Sequence, residues 1–207
     1  MAFFMLSQKK EVGCPVGLLS AALYDRFYEN AKSLDHGAFP WYANAALGKP
    51  HEVLPSGLVL IANAKKYDFT IRALYDRLYV ASEGFVKVCR ELGVTMLDCQ
   101  KIDVVSGLNK GIVASQYYVV VFESSDYGDL VLPSSQVAIG VRDWVTGFER
   151  LNIKEDAPDL FKLNKLHPGI STLFCSSDFK AKLVEVGVRG VEILPLPETS
   201  SQELEAI

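Results

Sequence analysis

Basic clusters, grouped metal ligands and long apolar runs are all missing from this sequence. No Lys/Arg run exceeds a pair, as at Lys9-Lys10 or Lys65-Lys66, and the net charge is −4. A protein that holds phosphate backbones needs a basic face. Nucleic acid is therefore not expected as a partner, and a basic protein surface is the better complement. The three histidines, His36, His51 and His167, stand apart in Gly/Pro-rich stretches without an H-x-x-x-H or H-x-E companion. The four cysteines, Cys14, Cys89, Cys99 and Cys175, show no C-x-x-C spacing. Neither set reads as a metal site, and no cofactor is expected. Dispersed thiols suit a reducing compartment, and Cys89 and Cys175 fall in apolar runs where a thiol packs as a small hydrophobe. No apolar stretch reaches the ~18 residues that span a bilayer, so no membrane is expected. A faint leader-like pattern behind Lys9-Lys10 is broken by Glu11, Gly13 and Pro15, which points away from a signal peptide and towards a cytoplasmic location.

Catalytic motifs are missing too. There is no G-x-S-x-G elbow to anchor hydrolase chemistry. The nearest approach to a phosphate cradle, residues 106–111, lies between two predicted strands and reads as a hairpin turn. Cys14, between Gly13 and Pro15 and close to a predicted helix, is the one thiol whose setting is compatible with a nucleophile served by a remote histidine. The acidic pairs Asp126/Asp129 and Glu155/Asp156 sit in loops with no helical or strand register joining them, as solvated charge does. No catalytic residue is named on these grounds, and the chain is not expected to be an enzyme.

What the chain does have is the composition of a folded domain, with 49% hydrophobic and 22% charged residues, enough to set disorder aside. Its 207 residues accommodate one domain with a substantial core. Leu19, Leu23, Phe27 and Ala31 recur every four residues and predict an N-terminal helix over 16–34. Residues 2–6 and 57–62 read as buried strands, and 36–55, rich in proline, as irregular or only briefly helical. Residues 112–123 form the strongest strand candidate, and 130–132, 136–141 and 151–153 are shorter ones.

Two stretches share a pattern. Residues 77–81 read as a strand, Ser82 as an N-cap, Phe85, Val88, Cys89 and Leu92 as one helical face, Gly93 as the stop, and 94–102 as a further strand. Residues 172–175, Ser176, Phe179, Leu183, Val186, Gly187 and 190–194 repeat that order. Ser82/Ser176, Phe85/Phe179 and Gly93/Gly187 are each separated by 94 positions. The expected fold is α+β: a mixed, mainly antiparallel sheet with two similar strand–helix–strand units (about 77–102 and 171–194) and the N-terminal helix. It forms a single domain over 1–196, with possible pseudo-duplicated halves at about 1–105 and 106–196, followed by an acidic tail at 197–207.

With chemistry unsupported, surface composition is the remaining signal. Residues 143–159 combine Trp144 and Phe148 with Asp143, Glu149, Glu155, Asp156 and Asp159, and the preceding polar loop carries Asp126, Tyr127 and Asp129. Aromatic anchors ringed by charge are the make-up of a protein-binding hot spot. The competing reading makes Trp144 and Phe148 part of the core and the acids its solvated rim.

The tract Leu160-Phe-Lys-Leu163, then Leu173-Phe-Cys-Ser-Ser-Asp-Phe-Lys180, then Gly187-Val-Arg-Gly-Val-Glu-Ile193 resembles the C-terminal signature of immunity proteins from bacterial polymorphic toxin systems, of the immunity protein 43 and immunity protein 11 type. Tyr79-Val-Ala-Ser-Glu-Gly-Phe85 and the strand around Tyr117-Tyr-Val-Val120 resemble the upstream half of the same families. The resemblance covers roughly residues 55–195, with Cys175 where valine is usual. It implies a protein that binds a cognate toxin domain and blocks it without chemistry of its own. The alternatives on the residues alone are a non-catalytic adaptor or chaperone-like module, or a small enzyme with an unrecognised site.

Overall fold

The computed structural model describes residues 2–15, 19–63, 67–75, 78–107, 112–168, 172–196 and 200–201. In chain order the elements are β1 (Phe3–Gln8), β2 (Ala21–Tyr24), α1 (Pro40–Ala46), β3 (Val59–Ala62), β4 (Ile71–Tyr75), β5 (Leu78–Ser82), α2 (Glu83–Glu91), β6 (Met96–Ser106) and β7 (Ile112–Phe122). They continue with β8 (Ser124–Ser125), α3 (Tyr127–Leu130), β9 (Gln136–Ile139), β10 (Val145–Arg150), β11 (Leu160–Leu163), β12 (Leu173–Ser176), α4 (Ser177–Glu185) and β13 (Val191–Pro195). The expected turn residues 108–111 and most of the expected acidic tail, 197–199 and 202–207, lie outside the described residues.

Local chemistry explains the two longer helices. The Ser82 hydroxyl accepts the Phe85 N–H at 3.3 Å and the Ser176 hydroxyl accepts the Phe179 N–H at 3.1 Å. Each thereby satisfies an orphan donor of a first turn. Beyond each helix a glycine takes a left-handed conformation, Gly93 at φ +65° and Gly187 at φ +89°, which spares the Cβ clash of any other residue.

Three sheets result, in the orders β2-β3-β6-β7-β5-β4, β13-β1-β12-β11-β8 and β10-β9. Among the described strand pairs, β3–β6 and β11–β8 are parallel and the rest antiparallel, so the α+β architecture is mixed but mainly antiparallel. In the first sheet β5 and β6 flank β7; in the second β12 and β13 flank β1. The sheets do not divide the chain at residue 105: β1 belongs with β11 to β13, and β7 with β2 to β6. Helices α2 and α4 pack on each other between these sheets. Phe85, Val88, Cys89, Phe179 and Leu183 share one core with Leu6 and Leu173 of the second sheet and Val120 of the first. The opposite face of the six-stranded sheet holds an aromatic core of Trp41, Tyr42, Tyr67, Phe69 and Tyr117. The opposite face of the five-stranded sheet packs Phe3, Phe161 and Phe174 against Val145, Phe148 and Leu151. Among the described residues no helix is long and apolar enough to cross a membrane.

The helix expected over 16–34 is not formed. Its described part contains β2, paired antiparallel with β3 from Ala21↔Ala62 to Tyr24↔Val59, and a 3-10 turn at Ala31–Ser33; residues 16–18 lie outside the description. A four-residue spacing is one helical turn and also two strand periods. Leu23 is buried within β2 and Leu19 just ahead of it, and the Leu23 N–H donates to the Tyr42 hydroxyl at 2.8 Å. Two shorter expectations also shift. Val131 and Ile153 meet only in an isolated bridge, and no strand forms at 151–153; β10 occupies the preceding residues, which the sequence did not mark as a strand.

Buried polar groups join the parts. Arg72 is 1% exposed; its guanidinium donates to the carbonyls of Ile71 at 2.9 Å, Gly190 at 2.5 Å and Pro15 at 3.4 Å. Burial lowers its pKa. Arg189 pairs with Glu11 at 2.5 Å and Asp68 at 3.4 Å, tying the segment after β1 and the start of β13 to the approach to β4.

Asp98 anchors the irregular 49–55 segment on β6. Its carboxylate accepts the Leu54 N–H at 2.6 Å and the Gln100 amide at 3.2 Å, and lies 3.0 Å from His51 Nε2. Burial alone would raise the Asp98 pKa, but the Leu54, His51 and Gln100 contacts outweigh it and hold the value below 3.8. A carboxylate whose folded pKa is depressed adds stability above its unfolded pKa and loses it as the pH falls through the folded one. Asp98→Asn is therefore expected to cost about 2 kcal/mol at pH 7, shrinking towards zero as acid protonates the wild type. Urea denaturation of both proteins from pH 7 down to pH 3 measures this, and a pH-independent difference contradicts the assignment.

Candidate protein-binding surfaces

The end of α2 opens into a groove of about 590 Å³ walled by residues 92–95, 123–126, Asp129, Leu130 and 158–161. Four carboxylates line it, those of Glu123, Asp126, Asp129 and Asp159, and no Lys, Arg or His does. The parallel pairing of β8 with β11, Lys162↔Ser124 and Leu163↔Ser125, brings two distant acidic stretches together. Asp126 caps α3, accepting the Gly128 N–H at 2.8 Å, and receives the Asn164 amide at 3.1 Å. The Asn164 and Gly128 bonds hold its pKa down, aided by nearby Lys165. Asn164 also accepts the Tyr127 N–H at 2.8 Å. Asp159 accepts the Ser176 hydroxyl, linking the groove to the cap of α4. Glu123 and Asp129 make no side-chain bond among the described residues, so their charge faces solvent. The carbonyl end of α2, at Leu92 and Gly93, adds partial negative charge on the same side.

Asp126, Asp129 and Asp159 of the expected site therefore share one concavity. Tyr127 sits beside them, half-buried against the third core, where desolvation raises its pKa. The rest of the expected set lies elsewhere. Asp143, Trp144, Phe148 and Glu149 belong to the β9–β10 hairpin, and Glu155 and Asp156 to the exposed turn between β10 and β11. Phe148 needs correction as an anchor: it is 3% exposed and packed in the core with Val145 and Leu151. Alternation along β10 turns Val145 and Phe148 inward across an irregular register at Gly147, which leaves Trp144, 39% exposed, as the accessible aromatic. The hairpin flanks a second hollow with Gln136, Glu149, Ser200 and Ser201, and the Phe148 N–H donates to the Ser201 hydroxyl at 2.9 Å.

Sequence reasoning missed Glu123, the walls at 92–95, and the exposed Ile139 and Val141. Glu123 had one available signal: it ends the strongest strand candidate and abuts the polar loop. The others depend on which strands become neighbours.

Among the described residues no three His, Cys, Asp or Glu side chains are set to hold a metal. The half-buried Cys14 thiol donates to the Asp68 carbonyl at 2.8 Å, and burial, reinforced by Glu11, pushes its pKa up, the reverse of an activated nucleophile. Burial likewise pushes Cys175 up to about 12. His51 is engaged with Asp98 and not with a thiol or hydroxyl.

No curated protein matches the sequence. A family model described as immunity protein 43 matches residues 16–202. That span contains both helices of the central core, the acid-lined groove and the β9–β10 hairpin, and it covers most of the chain. The protein belongs to the immunity protein 43 family.

Proposed function

We propose that this protein is a cytoplasmic immunity protein that binds the toxin domain of a polymorphic toxin system and neutralises it by occupation, without catalysis. Family membership across 16–202 carries the reading. In this role it protects the producing cell and its siblings during interbacterial competition. The groove at the end of α2 supports a protein partner of opposite sign: its free carboxylates suit a basic toxin surface, and such complementarity mainly speeds association. The proposed contact set comprises Asp126, Tyr127, Asp129 and Asp159 at the groove, Asp143, Trp144 and Glu149 on the hairpin, and Glu155 and Asp156 between them. The stretches at about 77–102 and 171–194 are read as two copies of one unit that supply a rigid frame. The shared serine caps, the glycine stops and the placing of each strand pair around a third strand support this.

The test is co-expression with the toxic domain encoded by the adjoining reading frame, with growth and complex formation as readouts. Rescue of growth with a stable complex is expected; full toxicity with no complex refutes the function. Within that test, Glu123→Lys with Asp129→Lys is expected to slow association about tenfold at low salt, leaving thermal stability unchanged because neither carboxylate supports the fold. Stopped-flow association across a salt series measures it.

A further inference from the structure

The β9–β10 hairpin ends in a turn whose backbone works against its residues. Between Val141 and Trp144, both central residues are left-handed, Arg142 at φ 61°, ψ 30° and Asp143 at φ 59°. The Trp144 N–H reaches the Val141 carbonyl at 3.5 Å, and the Gly140 N–H donates to the Trp144 carbonyl at 2.7 Å. This is the mirror-image turn that suits a two-residue hairpin, and the residues that adopt it at least cost are Asn-Gly. Arginine gains nothing from φ > 0. Strain of this kind persists where the surroundings hold it, and it concentrates at contact and switch regions.

What the turn displays is unusual for an exposed tip. Val141 is 85% exposed, Ile139 55% and Trp144 39%. Among them stands Arg142, also exposed, with no hydrogen bond or ion pair among the described residues. Tryptophan and arginine in an apolar setting are the residue types that dominate interface energetics. Arg142 shares the apex with the exposed Asp143, and the exposed Val141 and Trp144 flank the pair; a guanidinium in that setting complements a carboxylate at the edge of an apolar hollow, because its planar fork pairs with a carboxylate in two parallel bonds.

We propose that the tip, Ile139, Val141, Arg142 and Trp144, is a probe that enters an apolar cleft of the protein partner and pairs Arg142 with a carboxylate there. The proposal rests on the toxin-binding reading above and says which part of the molecule reaches into the partner. It gives the strained turn a role: the left-handed pair aims Arg142 outward at the apex.

The experiment uses the full-length protein and the toxic domain encoded by the adjoining reading frame, in inactivated form. Affinity is read by calorimetry and folding by thermal denaturation. Arg142→Glu and Val141→Asp are expected to fold normally and to lose about 30-fold or more in affinity; Arg142→Lys is expected to retain part of it. The double substitution Arg142→Asn with Asp143→Gly is expected to raise Tm by a few degrees while weakening binding, because it relaxes the turn and removes the probe. If the wild type binds and every tip variant binds within about threefold of it, a difference below 1 kcal/mol, the probe is refuted and the neutralising function stands. If the wild type itself does not bind, the function fails and the probe with it.

Discussion

Phe179→Ala is expected to lower the unfolding free energy by about 3–5 kcal/mol, the largest single effect foreseen in this molecule. Phe179 and Phe85 are both fully buried, and their rings meet edge to face at 5.5 Å and 67°. They hold α2 to α4 at the point where the two large sheets share a core, so the cavity left by alanine is lined from both sides and has little freedom to collapse. Phe85→Ala is expected to cost a similar amount. The double variant should cost less than the sum by about 0.5–1.5 kcal/mol, the coupling of a ring pair. Urea denaturation of the four proteins measures this; additivity within a few tenths of a kcal/mol means that the ring contact contributes nothing beyond burial. In a cell, destabilisation of this size would lower abundance.

Gly190→Ala is expected to cost about 3 kcal/mol, two effects combining. Its φ is +64°, and an added Cβ would lie 3.0 Å from Cys14 Cβ and Sγ and 3.1 Å from an Arg72 guanidinium nitrogen. Its carbonyl is also an acceptor for Arg72, so any backbone shift strains a buried cation. Gly93→Ala and Gly187→Ala provide the comparison. Both share the left-handed backbone, at φ +65° and +89°, with nothing within 4 Å of the added atom. They are expected to cost only about 1 kcal/mol each, the conformational part alone. Equal losses at all three glycines in thermal and urea unfolding rule out the crowding at residue 190.

The elements that sequence reasoning located best share one property: their signals lie within one or two turns of chain. Ser82 and Phe85, or Ser176 and Phe179, are three residues apart, and the hydroxyl-to-N–H bond between them forms whatever surrounds it. The strand at 112–122 announces itself by consecutive β-branched and aromatic residues. The failed helix over 16–34 shows where this stops, since its four-residue spacing is degenerate between helix and strand. β3, almost 40 residues downstream, resolves the ambiguity by offering a ladder.

The candidate surfaces divide in the same way. Acidic character around 126–129 and 155–159, and an aromatic at 144, are matters of composition and were visible in the chain. Composition does not say that Asp126 and Asp159 share a groove while Asp143 lies elsewhere, or that Phe148 is buried and Val141 exposed. Those outcomes follow from the β8–β11 pairing and from the register of β9 on β10.

The residues in order were thus enough to cap two helices and to place the chain near its family. Side-chain type and short spacing carry those properties directly. Strand order, the meeting of Phe85 with Phe179, the acid-lined groove and the left-handed apex at Arg142 came from long-range pairing and burial. Their reason is energetic: a strand or carboxylate distant in the chain becomes a neighbour only when the whole apolar surface finds its lowest free-energy arrangement, and no local pattern encodes that choice.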